Sequence, residues 1–293
     1  MALVFDELPS LDRPPLVVSF SGWPDAAEVG SGAVAYLIRT LEATRFASID
    51  PEPFYVFGES RPSTLVLEGV ERALSWPASE FFAARDSGGR DMVLFLAREP
   101  NLRWRAYLDL LLGLAERLGA GPVVSLGGTY DRVSHRGPPS VSGWSPTAEL
   151  RQQMARMGLQ FTGYQGPSSI HSALMEACRE RGTAAASLWG HAPHYVSGVA
   201  NPKVANALLE HLAALLGLEL ELGALGSAAR ELEAQIEQAL LGRSDLSDYV
   251  RGISAAASNP RAEPAPEGVP SAESIVEDLE AFLRQLREDD EDV

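Results

Sequence analysis

The segment Leu16-Val17-Val18-Ser19-Phe20-Ser21-Gly22-Trp23-Pro24-Asp25-Ala26-Ala27-Glu28 decides the fold class. Its first six residues form an apolar run between Pro14-Pro15 and Gly22, which reads as a buried strand. A helix is expected next. Asp25 stands at an N-cap position with Glu28 three residues later, the pattern of a capping box, and Val29, Ala33, Tyr36, Leu37 and Leu41 recur at helical spacing. The result is a strand-loop-helix unit with Trp23 and Asp25 in its loop.

Working outward, the same alternation repeats. Asp91 to Ala97 reads as a strand, followed by a helix from Trp104 to Leu118, and Pro122 to Leu126 reads as a third buried strand ended by Gly127-Gly128. Buried strands alternating with helices argue for a mainly parallel sheet sandwiched by helices. Phe54-Tyr55-Val56-Phe57, Thr64 to Leu67 and Leu74-Ser75-Trp76 are β-rich and predict shorter strands. Ser145-Pro146 with Glu149 predicts a helix with proline at its first position, and Gly166-Pro167-Ser168 predicts another with Ser168 as its cap. Ala184 to Leu188 predicts a strand, and Asn201-Pro202 caps a helix from Lys203 to Leu216.

From Ala224 the pattern is helical only, with Leu225, Ala229, Leu232, Ile236, Ala239 and Leu240 on one stripe. Residues 254–270 are rich in Ala, Ser, Pro and Glu without periodicity and predict a flexible linker. Ile275, Leu279, Phe282, Leu283 and Leu286 then mark an amphipathic stretch before an acidic end. The expected organisation is an α/β core over 1–222, accessory helices over 223–253, a linker over 254–270 and an acidic tail over 271–293.

Composition narrows the function. The 293 residues carry 24 Lys+Arg against 40 Asp+Glu, a net charge of −16, and half of that excess lies in residues 261–293. A negative body repels phosphate backbones and anionic lipid, which argues against nucleic-acid and membrane partners. Cys178 is the single cysteine, so intramolecular disulfides and Cys-rich zinc sites are excluded, and it reads as a core residue. With no secretory signal pattern and no apolar stretch of membrane-spanning length, a cytoplasmic location is expected.

Several residues could carry chemistry. No Gly-x-Ser-x-Gly, Gly-x-Gly-x-x-Gly or Walker loop occurs. Ser168 is the nearest approach to a nucleophile elbow, and its simpler role is a helix cap. Gly127, Gly128 and Tyr130 lie where an α/β sheet places ligands, outside a strand's carboxyl end, although the simpler reading of the glycines is that they make a turn. His191 and His194 are paired near Trp189 and Tyr195 but lack a third metal ligand of recognisable spacing, so no metal or other cofactor is expected. His171 has no identifiable acid or base partner. Local physics makes Trp23 a core plug and Asp25 a cap, while their loop position also suits a binding cleft.

Gly22-Trp23-x-Asp25-Ala26, Leu126-Gly127-Gly128, Gly166-Pro167-Ser168 and Asn201-Pro202, in this order and over roughly residues 1–245, resemble the proteasome assembly chaperone family, its bacterial, actinobacterial-type branch in particular. The resemblance implies a three-layer core similar to purine nucleoside phosphorylases and related hydrolases, with a mixed sheet between helices and no established catalytic apparatus. It also implies homo-oligomers, with a trimer favoured. Archaeal and eukaryotic members dock on the proteasome α ring through a C-terminal hydrophobic-Tyr-any motif; here Asp292 stands in the tyrosine's place. The expected function is that of a non-catalytic, oligomeric, chaperone-like protein with a protein client. The alternative is a hydrolase or nucleoside-phosphorylase-like enzyme using the cleft at the strand carboxyl ends, near Trp23, Asp25, Gly128 and His191, with Asn201 at its rim.

Overall fold

The structure is a computed structural model that describes residues 3–5, 7–67, 71–241 and 244–258. In chain order its strands are β1 (Leu3–Phe5), β2 (Leu16–Ser21), β3 (Thr44–Ile49), β4 (Ser63–Leu67), β5 (Glu71–Ser75), β6 (Ser79–Arg85), β7 (Asp91–Arg98), β8 (Val123–Asp131), β9 (Ser140–Trp144), β10 (Gln160–Phe161) and β11 (Ala185–Pro193). The helices are α1 (Val29–Thr40), α2 (Trp104–Arg117), α3 (Ala148–Arg156), α4 (Ile170–Arg181), α5 (Pro202–Leu216), α6 (Gly223–Leu240) and α7 (Ser244–Ser258).

Nine strands form one mixed sheet in the order β1-β3-β6-β7-β2-β8-β11-β9-β10. Its centre, β7-β2-β8-β11, is parallel, in register from Leu16 opposite Val93 and Val123. The flanks are largely antiparallel, β1 with β3, β3 with β6, β6 with β7 and β11 with β9. The expectation of a mainly parallel sheet therefore holds for the centre alone. The central strands read as continuous apolar runs because both of their faces are covered, whereas flanking β3 and β6 mix polar and apolar residues and escaped the pattern.

Alternate residues of each central strand feed opposite layers. Val17, Leu94, Val124, Leu126 and Leu188 pack under α1 and α5, while Leu16, Val18, Phe20, Phe95 and Val123 pack under α2 and α4. Cys178 lies fully inside the second layer, as expected of a small core residue, and burial pushes its thiol up to about 12. A third cluster joins the apolar stripes of α6 and α7 to Tyr195 and Val196.

Other expectations need correction. Phe54 to Phe57 is a turn segment, in which Phe54 N–H donates to Pro51 O at 3.0 Å while Phe54 and Tyr55 are buried; the apolar run plugs the core without pairing. Gly127-Gly128 do not end a strand, since β8 runs on to Asp131, and β11 likewise continues through Trp189 and His191 to Pro193. Helix α3 begins after Thr147, two residues later than Pro146 suggested; Ser145 Oγ donates to Ala185 O at 2.6 Å and accepts from Thr147 N–H at 3.0 Å ahead of the helix. Helix α7 runs through Ser258, five residues into the expected linker; the remainder of that linker and the acidic tail lie outside the described residues. Strands β4 and β5 pair with each other and with no other described strand.

Candidate functional site

The carboxyl ends of β2, β8 and β11 meet the start of α1 and α5, and most of the singled-out residues gather there. A 3-10 turn, Ala26–Glu28, precedes α1, with Ala27 and Glu28 both left-handed at φ +53° and +50°. That conformation costs roughly 1–2 kcal/mol per residue, so the surroundings must hold it. They do so through Asp25. Its Oδ1 accepts from Gly30 N–H at 2.8 Å and Ser31 N–H at 3.1 Å, and Oδ2 accepts from the Ser31 hydroxyl. Asp25 thus caps α1 as expected, but from three residues further upstream than a cap residue; Glu28 is exposed and makes no side-chain cap bond. Burial raises the Asp25 carboxyl above the usual carboxylate range against the lowering effect of these bonds.

Gly128 earns its place by close approach. A Cβ there would meet Ala26 O at 2.7 Å, and the Gly128 N–H donates to Pro24 O at 2.9 Å, stitching the loop to β8. A Cβ on Gly127 would press on the Trp189 ring. The glycines are strand positions pared down so that loop and indole can lie against the backbone, and they are not turn formers. Tyr130 Oη accepts from Ala27 N–H at 3.2 Å and Gly198 N–H at 3.3 Å. Asn201 N–H donates to Ala27 O at 2.9 Å while its side chain caps α5 by accepting from Val204 N–H at 3.1 Å. Asp25, Gly127, Gly128, Tyr130 and Asn201 therefore form one knot. Trp23 stands outside it, 66% exposed, so it is a surface residue and not a core plug.

The remaining candidates fall elsewhere. Ser168 is exposed and does not cap α4; Ser169 occupies the cap position, and Ile170 N–H is received by Glu99 Oε1 at 2.8 Å. The two histidines are separately engaged: His191 with Asp131 and Ser142, His194 with Asp131 O and with Tyr249 Oη at 2.7 Å. Among the described residues no group of three or more His, Cys, Asp or Glu could hold a metal ion.

Three further features stand apart from the knot. His171 lies between Phe20 and Trp189, with ring centroids 5.3 and 5.2 Å away, and neither of its nitrogens has a hydrogen-bond partner in the protein. Burial drives its pKa down to about 3. Lys203, the single lysine of the chain, donates to His135 O at 2.6 Å, Gly137 O at 2.9 Å and Glu233 Oε1, locking the β8–β9 loop to α6. His135 and Arg136 secure the same junction through Glu237, and His135, Lys203 and Glu233 line a small pocket beside it whose lining includes His191 and Asn201. In the sequence Lys203 is marked only as the one lysine among 24 basic residues, a count that by itself assigns it no role. The third feature, Ser142, sits on a strand that gave no periodic signal.

A mixed sheet with a parallel centre, covered by helices on both faces and extended by a helical pair, defines the class of α/β protein to which the comparisons point. Residues 19–240 match the model of the PAC2 family, and the chain belongs to that family. It is similar to a PAC2 family protein from Streptomyces avermitilis, 38% identical over 81% of this chain and 99% of the other, with a TM-score of 0.73. It is also similar to a proteasome-assembly chaperone homologue from Mycobacterium tuberculosis, 36% identical over 80% of this chain and 99% of that one, TM-score 0.73. The fold extends to an archaeal proteasome activator from Pyrococcus furiosus, 20% identical over 80% of this chain and 97% of that one, TM-score 0.63. No curated protein matches the chain. Among the described residues no helix is long and apolar enough to cross a membrane.

Proposed function

We propose that this PAC2 family protein acts as a self-associating, chaperone-like binding protein whose client is another protein. The observation that carries the reading is the β4–β5 hairpin. It pairs with no other described strand and exposes Leu65 by 47%, Val66 by 60% and Leu74 by 57%. A lone two-stranded hairpin is at best marginally stable in water; Val66 and Leu74 share one of its faces and Leu65 stands on the other, and exposed apolar side chains on such an arm mark an association surface. Copies of the chain packed through this arm, as a trimer, would bury that surface. The knot at the strand carboxyl ends spends its polar groups on itself, in keeping with a scaffold for binding, and exposed Trp23 and Tyr164 offer further apolar contact. Relatives described as a proteasome-assembly chaperone homologue and a proteasome activator make proteasome subunits the first clients to test.

The test is sedimentation of the purified chain, followed by binding to purified proteasome α subunits of its own source. We expect an oligomer, dissociation in the triple variant Leu65→Ser, Val66→Ser, Leu74→Ser, and client binding by the oligomer. A 31.5 kDa particle at micromolar concentration, with no binding to any α subunit, would overturn the reading.

A further inference from the structure

Asp131, His191 and Ser142 come from three neighbouring strands, β8, β11 and β9. His191 Nδ1 lies 2.8 Å from Asp131 Oδ2, and His191 Nε2 lies 2.8 Å from Ser142 Oγ. The proton positions follow from donor chemistry. An ionised carboxylate only accepts, so Nδ1 carries the hydrogen; whenever the ring is neutral, Nε2 is then the acceptor and the Ser142 hydroxyl the donor. Asp131 Oδ1 accepts from Arg132 N–H at 2.7 Å, which fixes the carboxylate's rotation. Ser142 Oγ makes no other hydrogen bond among the described residues, so its lone pairs are uncommitted. This is the order of donors found in serine nucleophiles, and it is recognised by geometry and roles on any fold.

We infer that Ser142, His191 and Asp131 form a nucleophilic relay that accepts an acyl group from an activated donor, a thioester or aryl ester, onto Ser142 Oγ. The step balances without any redox change. Ser142 Oγ bonds the carbonyl carbon and the bond to the leaving sulfur or oxygen breaks. The hydroxyl proton passes to His191 Nε2 and then to the leaving group, which departs as a thiol or phenol. Activated donors are specified by what the strand withholds. Ser142 is in register with Trp189 on one side and Gln160 on the other, so its backbone is committed to the sheet and supplies no oxyanion hole of the kind a nucleophile elbow builds. A persistent acyl-serine is therefore expected in place of rapid turnover. Trp189, opposite Ser142 in the ladder, and Trp144, two residues along the same strand face, give the acyl group an apolar flank. With 7% of Ser142 and 18% of the His191 side chain exposed, only slender reagents should reach the site.

The experiment uses the full chain and a small alkyl fluorophosphonate, which loses fluoride as its phosphorus bonds Oγ, read by intact mass and peptide mapping. One adduct on Ser142 is expected, absent in Ser142→Ala and unchanged in the neighbouring Ser140→Ala. Labelling should slow at least ~100-fold in His191→Gln and Asp131→Asn, the range lost with a general base or its correct tautomer. Asp131→Asn keeps a hydrogen bond to the ring, and thermal unfolding checks that each variant is folded; should His191→Gln fail to fold, Asp131→Asn decides alone. No adduct on Ser142 after prolonged exposure, or undiminished labelling in folded Asp131→Asn, would overturn the relay and leave a purely structural hydrogen-bond chain.

Discussion

His171 is a fully buried imidazole held only by aromatic edges, and its environment sets a measurable pH dependence. Its pKa falls from 6.5 to about 3 because burial penalises the charged ring. The folded state thus binds fewer protons than the unfolded chain, so this residue's contribution to stability is full above pH 6.5 and is lost as pH falls from 6.5 toward 3. His171→Leu removes both the unpartnered nitrogens and the titration. It should gain about 1–3 kcal/mol at pH 7, the cost of an unmet buried polar group, and the gap should widen on acidification. Urea unfolding at pH 7 and pH 5 reads this directly. A variant less stable than the parent at both values would mean that the imidazole serves a contact other than packing. The sequence placed His171 on a helix and found it no partner, which is what the structure contains. Asp131 and Ser142 were illegible as a pair with His191, because contacts across three strands have no fixed spacing along a chain.

Among the elements, α1 depends most on one side chain. Asp25 satisfies two orphan N–H groups of its first turn and holds two left-handed residues in place. Asp25→Ala should cost about 1–2 kcal/mol by urea denaturation, the upper range for a lost cap. Asp25→Asn, which keeps an acceptor, should cost less. Equal losses in both would show that the carboxylate's charge matters more than its oxygens. Sequence reading found α1, α2 and α6 by their apolar faces, because a 3.6-residue period over ten or more positions is a strong signal, and α3, α4 and α5 by their cap and start residues. It found β2, β7 and the start of β8 and β11 as apolar runs. It missed β3, β6 and β9, whose short mixed patterns are settled by pairing with neighbours far along the chain, and it misread Phe54 to Phe57, where apolar content reflects burial and not strand geometry.

At the scale of the molecule, the junction between α6 and the β8–β9 loop adds polar ties to the apolar packing that holds the helical pair on the core. Arg136, hydrogen-bonded to Glu237 at 2.6 and 2.9 Å, is the chief cause of that carboxyl's low pKa of about 2. The contribution is full above the ordinary value of 4.5 and is lost as pH falls from 4.5 to about 2. Glu237→Gln should therefore melt below the parent at pH 6, by no more than about 0.5–1 kcal/mol for so exposed a pair, with the difference vanishing near pH 2. Calorimetry at the two pH values checks it; a difference that persists at pH 2 would mean that the glutamate acts through packing. Lys203 binds the same junction and leaves a consequence of another kind. The chain has one lysine, and its ammonium is spent on two carbonyls and a carboxylate. Along these 293 residues, any enzyme that acetylates an ε-amine, or joins a tag to a client through an isopeptide bond, finds a single foothold, and must pry α6 from the loop to use it.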